Sequence, residues 1–234
     1  MKSFLMLGQS NMAGRGDFGE VEEINNPLCH MLRNGRWQPM REPINPDRQI
    51  WGYFHSGVGL TASFADEYAK HFNEQVGLIP CADGGTELLE WQPGELLFDN
   101  AVAQARLAQR TSEIAGILWH QGENDSFYLE NVQRYRDRFL NMLHSLIEKL
   151  QLPKNIPVII GELGEFVGTY NNGKCQYYKE INKILKGLSE ELPCSAFVSA
   201  SGLTCKNDGI HFNSKSYREF GKRYFKAYLQ AVRK

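Results

Sequence analysis

Among its 234 residues the chain has no run of about 18 apolar residues, no CxxC pair, no internal repeat and no low-complexity tract. A membrane-spanning helix, a paired-cysteine metal site and a repeat architecture are therefore not expected. The five cysteines, Cys29, Cys81, Cys175, Cys194 and Cys205, are odd in number and lack metal-ligand spacing, so neither a disulfide framework nor a zinc site is expected. Excess charge of one sign is missing too, since 26 Lys and Arg stand against 27 Asp and Glu for a formal net charge of -1. That balance offers no footprint for nucleic acid or a membrane surface. A small neutral or mildly polar ligand is the default partner. The first apolar strand starts too near Met1 to leave room for a signal peptide, so a cytoplasmic protein is expected. The length, with 42% hydrophobic residues, suffices for one sizeable core, and one domain over residues 1–234 is expected.

Short apolar runs rich in β-branched residues recur, as SFLMLG from Ser3, VGLIPCA from Val76, IAGILWH from Ile114, PVIIGE from Pro157 and AFVSA from Ala196. Such runs suit strands buried on both faces of a parallel sheet. Helical patterns lie between them over Leu60–Phe72, Leu97–Gln109, Asn131–Leu150, Cys175–Leu192 and Ser214–Val232. The alternation predicts a βα-wound parallel sheet with helices on both faces. Asn213 or Ser214 is placed to cap the last helix. The segment from Cys29 to Gly59 departs from the pattern, and Asn34-Gly35 between alternating residues predicts a small hairpin with a type I′ turn.

Loops that leave parallel strands converge at the carboxyl edge of the sheet, where open α/β proteins bind ligands. Five polar segments fall there: GQSNMAG from Gly8, DGGTE from Asp83, HQGEND from His120, GELGEF from Gly161 and DGIHF from Asp208. Ser10, at a strand-to-helix turn between Gly8 and Gly14, can expose its hydroxyl and its N–H together, as a nucleophile must. It departs from the G-x-S-x-G elbow, because Asn11-Met12 replaces the second glycine position. Capping of a helix is the alternative role for Ser10. Asp208 and His211, three residues apart across Gly209, allow the carboxylate to hold one imidazole nitrogen while the other faces out. Gly84, Gly85 and Thr86 offer N–H groups for an oxyanion, and Gln121 offers an amide. Glu123 could orient His211 in place of Asp208, or pin the loop that carries Gln121. With Glu162 and Glu165 it also permits a carboxylate-pair reading for glycoside hydrolysis, which nothing in the spacing supports. Trp91 is a candidate to stack on a sugar ring, or to pack in the core; Trp51, Tyr53 and His55 sit in an irregular loop.

The blocks GQSNMAG, GGTELLEW, HQGEND and DGIHF, in that order, resemble the SGNH hydrolase superfamily, within it the acetylesterases of carbohydrate esterase family six and the related sialate O-acetylesterases. The resemblance spans nearly the whole chain. It implies a flavodoxin-like three-layer α/β/α sandwich with five parallel strands that hydrolyses sugar acetyl esters without metal or cofactor. By matching position it assigns Ser10 as nucleophile, His211 as base and Asp208 as its partner, with the oxyanion held by Ser10, Gly85 and Gln121. Gln9, Asn11 and Glu123 become supporting residues. Expected substrates are acetylated xylo-oligosaccharides or O-acetylated sialic acid. The alternatives are a lipase-like or thioesterase activity on longer acyl esters and a catalytically silent sugar-binding module.

Overall fold

The computed structural model describes residues 1–46 and 55–234, so Trp51 and Tyr53 fall outside the described residues. Seven strands occur among them: β1 Lys2–Gly8, β2 Cys29–Arg33, β3 Arg36–Pro39, β4 Val76–Pro80, β5 Glu113–His120, β6 Val158–Gly161 and β7 Ser195–Val198. They form one sheet in the order β3-β2-β4-β1-β5-β6-β7. All neighbours are parallel except β3, which runs antiparallel to β2.

The expected five strands are thus too few. The Cys29–Gly59 segment sends β2 into the sheet beside β4, with Cys29 opposite Val76 and Met31 opposite Leu78. Its hairpin turn has positive φ at both Asn34 (52°) and Gly35 (69°), the type I′ geometry whose twist matches the flanking strands. The local pattern specifies the hairpin, whereas its docking on β4 depends on a pairing more than forty residues away.

Successive residues of β1 face opposite ways, as the two-residue period of a strand demands. Leu5 and Leu7 join Ile79, Ile117, Trp119 and Ile160 on one face. Phe4 and Met6 join Leu78, Leu118 and Ile159 on the other. Each such side chain contributes roughly 1.5–3 kcal/mol on burial, so the central strand anchors both layers. The first face is covered by α3 Leu96–Gln109, α4 Leu129–Leu150 and α5 Tyr178–Glu191; the second by α2 Leu60–Phe72 and α6 Ser214–Ala231. On α6, Tyr217, Phe220, Tyr224 and Tyr228 recur every three or four residues and are buried, the spacing that keeps one helical face on the sheet. Asn213 caps this helix by accepting from the Ser216 N–H at 2.9 Å. No helix among the described residues is long and apolar enough to cross a membrane.

Candidate active site

At the carboxyl end of β1 the backbone turns sharply at Gly8, whose φ is +133°. A Cβ there would fall 2.0 Å from the carbonyl oxygen of His120, so only glycine lets β1 lie this close to β5. The Gln9 N–H donates to that carbonyl at 3.0 Å, and the one-turn helix α1, Ser10–Ala13, begins at the next residue. Ser10 is thereby lifted to the rim of the sheet.

The last connection brings the other two groups. His211 Nε2 lies 3.0 Å from Ser10 Oγ, and His211 Nδ1 lies 2.8 Å from Asp208 Oδ2. Burial alone would raise the Asp208 pKa, but hydrogen bonds from His211 Nδ1 and from the N–H groups of His211 and Ile210 hold it well below the usual carboxylate range. A carboxylate that stays ionised fixes the proton on Nδ1 and leaves Nε2 as the acceptor facing Ser10.

Asn11 joins this distant loop to the serine turn. Its Nδ2 donates to Glu123 Oε1 at 2.6 Å and to the Ile210 carbonyl at 3.0 Å, while its Oδ1 accepts from Tyr217 OH at 2.6 Å. Asn11 is fully buried and so braces the site. Gln9 braces from the other side, its Oε1 accepting from the N–H groups of Gly122 and Asn124.

Ser10 and His211 open onto a cavity of about 350 Å³, also lined by Gln9, Arg15, Gly85, Asn124, Phe127, Tyr170 and Lys174. Gly85 takes a positive φ of 75°, a conformation that glycine adopts freely. Among the described residues the N–H groups of Ser10 and Gly85 have no protein acceptor, as donors reserved for a developing oxyanion require. A serine–imidazole–carboxylate chain beside two such donors is equipped for acyl transfer.

The sequence profile of a family described as carbohydrate esterase, sialic acid-specific acetylesterase, matches residues 1–230. The chain belongs to this family. A probable carbohydrate esterase of Arabidopsis thaliana is 28% identical over 245 residues, spanning 97% of this chain and 89% of its own. The solved structure of an Arabidopsis thaliana protein matches with a TM-score of 0.85 at 27% identity, covering 98% of each chain. NanS matches in fold, with a TM-score of 0.77 at 15% identity over 99% of this chain and 97% of its own. The fold is shared with a lipase/acylhydrolase of Enterococcus faecalis, with a TM-score of 0.58 at 14% identity over 99% of this chain and 96% of its own, and the chain is a carboxylic ester hydrolase of carbohydrate O-acetyl groups.

Several expected site residues of this esterase lie elsewhere. Gln121 is fully buried; its Nε2 donates to the Thr86 carbonyl at 2.9 Å and to Asp125 Oδ2, and its Oε1 accepts from Tyr135 OH. It supports the Gly85 loop from below and does not line the cavity. Asn124, three residues on, does line it, and its Nδ2 donates to the Gly85 carbonyl at 2.9 Å. Trp91 is no platform for sugar: it is 1% exposed, packs edge-on against Trp119 and donates to Thr86 Oγ1 at 3.2 Å. Glu123 is fully buried, bonded to Asn11 and 3.6 Å from His120 Nδ1. Burial lowers the His120 pKa despite that neighbour, keeping the ring neutral. Asp208, not Glu123, therefore faces His211. Glu162 Oε2 accepts from Ser199 Oγ and the Ala200 N–H, which ties it to the loop after β7 and not to a carboxylate pair. Arg15, Phe127, Tyr170 and Lys174 went unnoticed in the sequence because none belongs to a dense polar block that marks a catalytic loop, although Arg15 follows GQSNMAG directly.

Asp125 also escaped notice. Its Oδ2 accepts from the Leu88 N–H at 2.9 Å and from Gln121, while Oδ1 is buried without a partner. Burial pushes its pKa up to about 6 from 3.8. A folded-state pKa above the unfolded one means stability is fully present below pH about 4 and is lost as pH rises through 6. At 1.36 kcal/mol per unit, the ionised group costs the fold about 3 kcal/mol at neutral pH. Asp125→Asn is therefore expected to raise the melting temperature at pH 8 and to have little effect at pH 3.5. Equal melting temperatures at pH 8 would show that the charge is not strained.

Proposed function

We propose that this acetylesterase uses Ser10 as nucleophile, His211 as base and Asp208 as the group that orients His211, and that its substrate is an acetyl ester of an anionic sugar. The observation that carries the mechanism is the chain of contacts from Ser10 Oγ through His211 Nε2 and Nδ1 to Asp208 Oδ2, at 3.0 and 2.8 Å. Ser10 Oγ attacks the acetyl carbonyl as its proton passes to His211 Nε2. The carbonyl oxygen gathers negative charge between the N–H groups of Ser10 and Gly85, where each donor is worth about 3–4 kcal/mol of barrier. Collapse breaks the C–O bond to the sugar, and the departing alkoxide takes the proton from His211. Water then enters and bonds to the acetyl carbon as it loses a proton to the same nitrogen; collapse breaks the bond to Ser10 Oγ, which takes that proton back, and acetate leaves. A fluorophosphonate should label Ser10; an intact protein that never reacts there would favour a silent sugar-binding module.

The charge of the cavity supports an anionic sugar over a neutral xylo-oligosaccharide. Lys174 lines it, and no carboxylate does among the described residues. Lys174 Nζ sits 4.4 Å from the centre of the Phe127 ring, a cation–π contact that holds an exposed ammonium in place. A family described as sialic acid-specific points the same way. With Lys174→Glu, the preference for O-acetylated sialic acid over acetylated xylose is expected to fall roughly tenfold, as reversal of one partly solvated charge implies. An unchanged preference would remove Lys174 from recognition. The polar lining also predicts steep loss of rate on p-nitrophenyl esters longer than acetate; a maximum at longer chains would instead favour a lipase-like enzyme.

A further inference from the structure

A second cavity, of about 440 Å³, adjoins the first and shares Arg15, Tyr170, Ile210 and His211 with it. Its remaining lining includes Asp17, Phe18, Lys206 and Asp208, but neither Ser10 nor Gly85. The bond-making steps need only the first cavity, since the nucleophile and the oxyanion donors both lie there. The second begins beyond His211, which hands a proton to the departing sugar oxygen. That places it on the side of the alcohol and not of the acetyl group.

Its chemistry suits a neutral sugar ring. Phe18 is 60% exposed and makes no contact with another aromatic ring among the described residues, so its face is open to stacking. Beside it Lys206 Nζ donates to Asp17 Oδ1 at 2.6 Å and to the Arg15 carbonyl at 2.8 Å. This ion pair is compensated within the wall and carries no net charge toward a ligand, yet the carboxylate retains acceptor capacity for hydroxyl groups. An open aromatic face bordered by hydrogen-bonding groups matches the alternating apolar and hydroxylated surfaces of a pyranose. Arg15 and Asp208, of opposite charge, also line this cavity, so its wall shows no excess of either sign among the described residues, as a neutral unit requires.

We infer that the cavity lined by Asp17, Phe18 and Lys206 is a second subsite, which binds a neutral sugar unit glycosidically joined to the acetylated one. The preferred substrate is then an acetylated sugar still attached to a glycan, and not the free monosaccharide. The inference rests on the acetylesterase reading above, and the experiment separates the two. Acetate release is measured from O-acetylated sialic acid, free and joined to lactose, with wild type and Phe18→Ala, a change at an exposed side chain. Wild type is expected to show a kcat/KM about tenfold higher for the joined substrate, mainly through KM, as one stacked ring allows. Phe18→Ala should bring that ratio close to one. Equal wild-type values for the two substrates, or a ratio that survives Phe18→Ala, would overturn the subsite alone. No release from either sugar, with p-nitrophenyl acetate still cleaved, would overturn the anionic-sugar reading and the subsite with it.

Discussion

Replacing Ser10 with alanine is expected to lower kcat for acetyl-ester hydrolysis by roughly three to six orders of magnitude, the range seen when the nucleophile of a serine–histidine–acid unit is lost. The Ser10 hydroxyl makes its hydrogen bond to His211 Nε2, while the turn around it is held by Gln9, Asn11 and the backbone. The variant should therefore melt close to wild type and keep the Ser10 N–H in the cavity. What remains should be the small rate that positioning and the oxyanion donors alone provide. Steady-state acetate release from p-nitrophenyl acetate, with a melting curve on the same preparation, reads both quantities. Near-wild-type turnover in a folded variant would remove Ser10 from the chemistry and the proposed mechanism with it.

Asp208→Asn should be the next most damaging change, with kcat falling by roughly three to four orders of magnitude. The carboxylate now accepts from His211 Nδ1 at 2.8 Å and from two backbone N–H groups. An amide can keep the backbone bonds through its oxygen, but then its NH2 group faces Nδ1. That arrangement favours the tautomer with the proton on Nε2, which cannot accept from Ser10. Because hydrogen bonding holds the Asp208 pKa well below the usual range, the wild-type loss of activity in acid should not report protonation of Asp208. Glu123→Gln provides the contrast. Glu123 bonds to Asn11 and lies beside His120, so its loss should lower stability and leave the acid limb of the pH profile where it was. If Glu123→Gln moved that limb while Asp208→Asn did not, Glu123 would be the acid that governs His211.

How far these groups could be read from the sequence depended on the distance over which each is specified. Asp208 and His211 are three residues apart on one turn, so local geometry alone lets them meet. The Asn34-Gly35 turn is equally local. Ser10 and His211 are 201 positions apart, and the convergence of loops at one sheet edge, together with the family resemblance, made their pairing an expectation. Gln121 and Asn124 show where such reasoning stops. Both belong to HQGEND, and both amides are chemically fit to face an oxyanion. Which one enters the cavity depends on how the loop folds after β5, where Asp125, Thr86 and Tyr135 draw Gln121 into the interior. Trp91 is a similar case, since burial of a lone aromatic depends on what packs over it.

The sequence by itself determined the parallel α/β class, the glycine-flanked turn at Ser10 and the Asp208–His211 spacing, because strand period, glycine conformation and short turns are set by neighbouring residues. Only the tertiary structure decided that β2 and β3 extend the sheet, that Asp208 rather than Glu123 faces His211, and that Arg15, Phe127, Tyr170 and Lys174 wall the cavity. Those outcomes rest on contacts between segments far apart in the chain, where packing and desolvation choose among side chains of equal chemical fitness.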